Sequence, residues 1–287
     1  SLGSACRTPS DAPPPIRCLM WFVCDACGLV CLSIAYGLLS TANVVVLRQG
    51  WFPWGVLGRR VCLAVYELWF VLCIWSHLTC MLTDPGSVPL DTEMEEGMKQ
   101  CPKCKAPKPP RAHHCSICRR CIMKMDHHCP WVNNCVGARN QKHFVLFLLY
   151  VQLQCWAALG CLGGKFMAAI QDDEPRPQAF LAVRGRSEAY REAARLRAQQ
   201  RVEEMGNTLC CMLVFFVAVV FGLFTCIMFC DQVSNIIANT TGIEGLQGYA
   251  AKPRPWRESV QEVMGRGPSM RWLLPTPARR VQIKDET

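Results

Sequence analysis

The sequence CPKCKAPKPPRAHHCSICRRCIMKMDHHCPWVNNC, residues 101–135, contains seven cysteines and four histidines. Structural zinc takes four Cys or His ligands in tetrahedral geometry, so eight of these eleven residues would fill two such sites. Two sites of three cysteines and one histidine use six cysteines. The one that remains, Cys129, directly follows Asp126, His127 and His128. The stretch therefore predicts a metal-stapled domain with one cysteine free for chemistry.

The spacing within this stretch leaves the grouping of the ligands open. A sequential grouping would place Cys101, Cys104, Cys115 and one of the two histidines at 113 and 114 around one ion. An interleaved grouping is an alternative that spacing alone does not decide. Three prolines between residues 107 and 110 leave little regular structure there, so the domain should fold only with its metals bound.

Outside this stretch the chain is apolar, with 51% hydrophobic and 18% charged residues. The hydrophobic residues gather in four blocks, each near the roughly 20 residues that a helix needs to cross a hydrocarbon core of about 30 Å. Asp25, inside the first block, should face protein or lie near the membrane interface because charge is costly in lipid. The four predicted spans cover residues 18–47, 61–82, 144–168 and 208–230.

Basic residues predict the orientation of these spans by the positive-inside rule. Residues 83–143 carry ten Lys and Arg, the tail after Cys230 carries eight, and the loop 48–60 carries three. The net charge of +9 fits anionic lipid headgroups beside the spans better than it fits nucleic acid, so no nucleic-acid partner is expected. Three segments are predicted to be cytosolic: the N-terminal tail 1–17, the cysteine-rich domain 99–143 and the C-terminal tail 231–287. The charged loop 171–207 is predicted to be luminal despite its seven arginines.

The pattern C-P-x-C … R-A-H-H-C-S-x-C-x-x-C-x-x-K-M-D-H-H-C-P-W-x-x-N-C-V-G resembles the cysteine-rich domain of the DHHC protein S-acyltransferases. The match is close over residues 99–144, and it extends more weakly to Asp84-Pro85-Gly86 and to Thr241-Gly242-Ile243-Glu244. The earlier pattern S-H-x-x-x-M-L-T-D-P-G resembles the Golgi-type subgroup of that family. The resemblance implies an all-α membrane protein with four transmembrane helices and a cytosolic, zinc-stapled cysteine-rich domain.

The same resemblance implies the interleaved grouping of ligands around two structural zinc ions. One ion would be held by Cys101, Cys104, His114 and Cys121. The other ion would be held by Cys115, Cys118, His128 and Cys135. His127 and Cys129 are then left without a metal.

Asp126, His127 and Cys129 have the residue types of an orienting acid, a base and a nucleophile. His127 can act as base for the Cys129 thiol, and Asp126 can fix the tautomer of His127 and favour its charged form. An acidified thiol suits thioester exchange, because a thiolate is both nucleophile and leaving group. The alternatives are an unreactive cysteine and a histidine that only supports the metal sites.

The substrate contacts are implied by the resemblance alone. Lys108, Arg111 and His113 lie where the family contacts the phosphates of CoA, although simple charge on a cytosolic loop is the alternative. Trp131 should lie at the bilayer surface near the acyl thioester, which an interfacial aromatic anchor would explain equally well. The expected donor is palmitoyl-CoA, and the expected acceptors are cysteines of membrane-associated proteins.

Two further features concern the spans and the tail. Gln152 and Gln154 in the third span could border a cavity for the acyl chain, but hydrogen bonds between helices are the stronger expectation. In the C-terminal aromatic motif of the family, Ser259 stands in place of an Asn, and Val263-Met264-Gly265 in place of Val-Phe-Gly. This departure puts in doubt the support that the motif gives to the catalytic loop.

The sequence thus predicts a protein S-palmitoyltransferase in the Golgi or ER membrane, with membrane lipids around it and its active site facing the cytosol. The rivals are a catalytically weak zinc-bearing scaffold and a small transporter. A scaffold would not need a free cysteine beside a base. A conducting pore usually leaves ionisable residues within its spans, and these spans hold few.

Overall fold

The structure is a computed structural model that describes residues 25–50, 52, 55–89, 93–171, 188–248 and 254–278. Its long helices confirm the predicted helical membrane class, because four of them have the length and apolar composition to cross a membrane. These helices are α1 (Ala26–Gln49), α2 (Gly55–Leu82), α3 (Gln141–Gln171) and α4 (Glu188–Ile237).

Helix α1 begins directly after Asp25, whose carboxylate accepts a hydrogen bond from the backbone N–H of Gly28 at 2.9 Å. Asp25 therefore caps the helix and satisfies one of its unpaired first-turn donors. The predicted first span starts earlier, at residue 18, but residues 18–24 lie outside the described part of the chain.

Helix α4 is a single element of 50 residues, which corresponds to roughly 75 Å at 1.5 Å per residue. It contains the whole predicted span 208–230 and also residues 188–207 of the predicted charged loop, where the composition of residues 186–204 favours a solvated helix without a clear apolar face. The physical reason is local: this segment is rich in Ala, Arg and Glu, which are strong helix formers and need no apolar partner.

Three short antiparallel hairpins form the cysteine-rich domain between α2 and α3. In the second hairpin His114 lies opposite Cys121, and in the third His128 lies opposite Cys135. A 3-10 turn, Pro130–Val132, joins the two strands of the third hairpin. The strands are β1 (Lys99–Gln100), β2 (Pro107–Lys108), β3 (Ala112–Cys115), β4 (Arg120–Met123), β5 (His127–Cys129) and β6 (Asn134–Val136).

The Asp84-Pro85-Gly86 segment joins α2 to this domain. Asp84 accepts hydrogen bonds from the backbone of Gly86 and Ser87 and pairs with Arg139 at 3.0 Å. Gly86 has a φ of +110°, which favours glycine, and its carbonyl accepts the N–H of Met123 at 2.8 Å. The turn after α2 is therefore fixed to the end of β4.

Two short helices follow α4. Helix α5 (Gly242–Leu246) starts with a capping box in which Thr241 and Glu244 each accept the other's backbone N–H. Helix α6 (Trp256–Met264) carries Glu262, which forms ion pairs with Lys124 and Arg254. Burial opposes the charge on Glu262, but the two cations outweigh it and hold the pKa of this carboxyl below its usual value.

The chain divides into two compact units, and each of the four long helices contributes residues to both of them. In the unit formed by residues 36–73 and 148–229, Leu162, Cys211 and Val214 form a buried core with Val45. The unit that contains residues 74–147 holds the cysteine-rich domain, where Ile122 and Met125 are buried among cysteines that are predicted metal ligands.

Interhelical hydrogen bonds engage both glutamines of the third span. Gln154 donates to the carbonyl of Tyr66 at 2.8 Å, and Gln152 accepts from the hydroxyl of Thr225 at 2.8 Å. This is the stronger of the two expectations from the sequence, since a buried amide in a span needs a polar partner.

Candidate active site

The structure brings the predicted metal ligands together in two separate groups. The first group is Cys101, Cys104, His114 and Cys121, and the second group is Cys115, Cys118, His128 and Cys135. Within each group the ligand atoms lie within 4.8 Å of one another. Both groups have three cysteines and one histidine, and both histidines face their cysteines through Nδ1. The grouping in space is interleaved along the chain, not sequential.

The spacing of these atoms fits zinc. A tetrahedral Cys3His site with Zn–S of about 2.3 Å and Zn–N of about 2.0 Å has S···S edges of about 3.8 Å and S···N edges of about 3.5 Å. In the first group the Sγ atoms of Cys104 and Cys121 are 3.8 Å apart, and the Sγ of Cys101 lies 3.7 Å from the ring of His114. In the second group the Sγ atoms of Cys118 and Cys135 lie 3.4 and 3.6 Å from His128.

Strand β5 places Asp126, His127 and Cys129 beside this second group. Asp126 directly precedes the strand and is 5% exposed, and its carboxylate accepts three hydrogen bonds. The donors are Nδ1 of His127 at 2.7 Å, Nε2 of Gln232 at 2.8 Å and the backbone N–H of Gly242 at 2.6 Å. Burial would raise the pKa of Asp126, but these donors outweigh burial and lower it.

The His127 ring is fixed on two sides. Its Nδ1 donates to Asp126, and its edge packs on the ring of Phe144 with centroids 5.2 Å apart. Burial disfavours the charged ring, but the carboxylate of Asp126 and the neighbouring thiol of Cys129 favour it and raise the pKa to about 9. His127 is thus oriented toward Cys129 and favours a positive charge beside that sulfur.

Cys129 lies at the end of β5 and is 6% exposed. It directly precedes the 3-10 turn Pro130–Val132, with backbone angles in the extended region. Residues 101–135 are all described, and Cys129 is the one cysteine among them that belongs to neither metal group.

Asn134 and Asn140 brace the loop after Cys129. Asn134 donates to the carbonyls of Cys80, Met81 and Thr83, which are carbonyls that the end of α2 leaves without helical partners. Asn140 donates to the carbonyls of Cys80 and Cys135. The loop is therefore attached to the end of α2 by side-chain amides.

The three predicted CoA contacts lie near one another. Burial and the charge of Lys108 lower the pKa of His113, and the charges of Glu244 and Arg111 also act on it. The Arg111 guanidinium forms a two-pronged ion pair with Glu244, 2.7 Å at each prong. It also donates to the side chain and the carbonyl of Asn239. Arg111 therefore has an ion pair and hydrogen bonds within the protein that the sequence did not predict.

The remaining sequence predictions fall on Trp131 and Ser259. Trp131 is half-buried in the 3-10 turn, and its carbonyl accepts a hydrogen bond from His77 at 2.9 Å. Ser259 is buried in α6, and its hydroxyl accepts a hydrogen bond from Nε of Arg254 at 3.0 Å. The position that departs from the family pattern is thus held by Arg254, which also pairs with Glu262.

Sequence reasoning missed several partners of this site. Gln232 and Gly242 lie more than 100 residues from Asp126, and Phe144 opens the third span, where it was counted only as an apolar residue. The Thr241-Gly242-Ile243-Glu244 motif was the one available signal, because two of its four residues contact residues 111 and 126.

Comparisons with known proteins agree with this geometry. Residues 94–248 match the family model described as DHHC palmitoyltransferase. The chain is 36% identical over 282 residues to palmitoyltransferase ZDHHC3 of Rattus norvegicus, covering 93% of this chain and 86% of the relative. It is 36% identical over 311 residues to palmitoyltransferase ZDHHC7 of the same species, covering 98% and 89%.

A plant protein is similar over a shorter range. Probable protein S-acyltransferase 12 of Arabidopsis thaliana is 37% identical over 153 residues, which cover 44% of this chain and 53% of the relative. The longer matches include both the cysteine-rich domain and most of the remaining chain. From the family model and these identities, the chain belongs to the DHHC palmitoyltransferase family.

Proposed function

We propose that this protein is a protein S-acyltransferase that transfers a long-chain acyl group, palmitoyl, from acyl-CoA to Cys129 and then to a protein cysteine. One observation carries the proposal: Cys129 is the cysteine of residues 101–135 that lies outside both metal groups, and its thiol adjoins the oriented ring of His127. The palmitoyltransferase names of the relatives support it.

In the first step the Cys129 sulfur attacks the thioester carbon of acyl-CoA, and His127 takes the thiol proton. A C–S bond forms to Cys129 while the C–S bond to CoA breaks, and the CoA thiolate leaves with a proton returned by His127. The products are S-acyl Cys129 and free CoA. Because one thioester replaces another, the step needs no external energy source.

In the second step the thiol of an acceptor protein attacks the acyl group on Cys129. His127 takes the proton of the incoming thiol, the new thioester forms, and the Cys129 thiolate leaves and is reprotonated. Asp126 keeps Nδ1 of His127 occupied, so the other ring nitrogen is the one that exchanges protons.

Two zinc ions are proposed for the two Cys3His groups, where the donor set and the spacing of the ligand atoms fit zinc. Their contribution is structural, since all four ligand positions in each group are filled by protein and no open position remains for substrate. His128 then fixes the backbone of β5 between His127 and Cys129.

CoA is proposed to bind beside β2 and β3, where Lys108, Arg111 and His113 lie close together. Lys108 would face the phosphates, and the nearby positive charge of Arg111 would also favour them, since both cations attract phosphate oxygens. Trp131 is proposed to lie at the bilayer surface beside the acyl thioester.

We further propose that residues 99–143 and the C-terminal tail face the cytosol and that residues 171–207 face the lumen of the Golgi or ER. The distribution of basic residues supports this orientation, and the Golgi-type pattern around residues 76–86 supports the location. The acceptors would be membrane-associated proteins whose cysteines reach the same membrane face.

The test follows a clickable palmitoyl-CoA analogue onto the purified full chain. Wild type should take up label that neutral hydroxylamine releases, Cys129→Ser should take up none, and the control Cys226→Ser should match wild type. A zinc-loaded, folded wild type that takes up no label would contradict the proposal and favour a non-catalytic scaffold.

A further inference from the structure

A second histidine, His77, contacts the turn that follows Cys129. It belongs to the last two turns of α2 and is 1% exposed. Its Nε2 lies 2.9 Å from the carbonyl oxygen of Trp131, two residues after Cys129. A carbonyl oxygen only accepts hydrogen bonds, so Nε2 of His77 must carry the proton.

The ring of His77 is held in place by α3. It packs edge-on against Phe147 with ring centroids 4.9 Å apart and planes at 71°. Phe144, one turn earlier on α3, makes the same kind of contact with His127 at 5.2 Å and 68°. Two phenylalanines on one face of α3 therefore support the two histidines that flank the Cys129 segment.

The hydrogen bond of His77 acts on the backbone that presents the thiol. Cys129 immediately precedes the 3-10 turn Pro130–Val132, and the Trp131 carbonyl belongs to that turn. Asn134 fixes the far end of the turn to Cys80, Met81 and Thr83, one turn further along α2. The loop is thus tied to α2 at two levels: His77 bonds the turn that follows Cys129, and Asn134 lies opposite Cys129 in the β5–β6 pairing.

We propose that His77 is a positioning residue for the nucleophile: its Nε2–H holds the Trp131 carbonyl and so fixes the turn from which Cys129 attacks the thioester. The role rests on the proposed function of Cys129. Holding the reacting groups in line supplies a large part of a catalysed rate, and a displacement near 1 Å can cost about a hundredfold.

The test compares His77→Phe, which keeps a ring for Phe147 but loses the donor, with His77→Gln, whose side-chain N–H can reach the same carbonyl. Thr79→Val is the control, since Thr79 bonds only within α2, at the carbonyl of Trp75, among the contacts described. Each full-length variant is mixed with the palmitoyl-CoA analogue over a series of concentrations up to saturation, and the rate and the final extent of Cys129 labelling are recorded with zinc content and melting temperature.

If His77 positions Cys129, loss of its hydrogen bond should lower the rate of Cys129 labelling and leave the final extent of labelling unchanged. His77→Phe should label Cys129 about tenfold more slowly or worse, with an unchanged final extent and half-saturating donor concentration, while His77→Gln stays within about threefold of wild type. Thr79→Val should equal wild type.

Three results would overturn the proposal. His77→Phe could label at the wild-type rate, or it could lose final extent and zinc while the remaining fraction reacts at the normal rate, which would show a purely structural residue. If wild type takes up no label, or Cys129→Ser takes it up, the proposed function itself fails, and the role of His77 fails with it.

Discussion

Asp126 is the residue whose surroundings best explain the chemistry of the site. A buried carboxylate is costly unless donors satisfy it, and Asp126 has three: one from the adjacent His127 and two from residues more than 100 positions later in the chain. Gln232 and Gly242 hold the carboxylate of Asp126 in place, and the carboxylate in turn holds the ring of His127 in a single orientation. The donors that offset the cost of burying this carboxylate therefore also orient the proposed base, His127.

Asp126→Asn tests this arrangement, because an amide cannot accept hydrogen bonds from all three donors. We expect Cys129 acylation to slow by at least about a hundredfold, the usual contribution of a positioned base. The measurement is the single-turnover labelling rate on protein with full zinc content.

Gln232→Leu serves as the matched control, since it removes one donor and leaves the pair of Asp126 and His127 intact. Its labelling rate should fall less than that of Asp126→Asn. Equal rates for wild type and Asp126→Asn would contradict the role of Asp126 as orienting residue.

At the scale of elements, the short helix α5 is joined to β3 by one buried ion pair. Glu244 is 1% exposed and is engaged both by its own capping box and by Arg111, which directly precedes β3. A helix of five residues has little stability of its own, so this long-range contact holds it in place. The same contact explains why Gly242, in its first turn, reaches Asp126.

Removing one partner of this pair should be costly, because it leaves a buried charge uncompensated. Arg111→Met should destabilise the protein by about 3–5 kcal/mol, and adding Glu244→Gln should recover part of that loss. The measurement is thermal unfolding of the purified single and double variants under identical detergent conditions.

Variants of the Arg111–Glu244 pair also separate the structural role of Arg111 from its proposed role in binding CoA. If Arg111 acts on CoA phosphates as well, the double variant should regain stability and still need more acyl-CoA for half-saturation than Glu244→Gln alone. A stable Arg111→Met single variant would show that the ion pair contributes little to the fold.

At the scale of the whole molecule, the chain combines four membrane-length helices with a cysteine-rich domain that has little regular structure and two groups of side chains that could each hold a metal ion. The strands of that domain are two to four residues long, too short to be stable as isolated hairpins. Contacts with the end of α2 help to hold them, and the proposed zinc ions would add four protein ligands at each site. The domain should therefore depend on zinc while the helices should not.

Topology can be tested by glycosylation. An acceptor site inserted within residues 172–187 should be glycosylated in microsomes, and one inserted after residue 278 should not. The native Asn239-Thr240-Thr241 sequence should stay unmodified, because the proposed orientation places it in the cytosol. Sensitivity of the band shift to an endoglycosidase provides the measurement. Modification of Asn239 in the wild-type chain would reverse the proposed orientation.

The sequence alone determined the features that depend on local composition and spacing. Apolar blocks of membrane length require helices, because a backbone in lipid must satisfy its own hydrogen bonds, and the four long helices confirm that class. The density of cysteine and histidine in residues 101–135 predicted two metal sites and an unliganded Cys129, and two Cys3His groups with metal-binding geometry lie there. Helix ends were less predictable: the composition of residues 186–204 favours a helix, but no pattern indicates that this helix continues without a break into the fourth span, as it does in α4.

Only the tertiary structure decided which distant side chains complete the site. Two partners of Asp126 come from the last turns of α4 and the start of α5. The ion-pair partner of Arg111 lies 133 residues away, and His77 reaches the turn after Cys129 from 54 residues before Trp131. No local pattern encodes such contacts, because a lone His or Gln in an apolar helix has the same sequence signature whether it braces a loop or another helix. The bonds form only where packing brings a buried donor to a buried acceptor, and there the cost of leaving either one unpaired selects the pair.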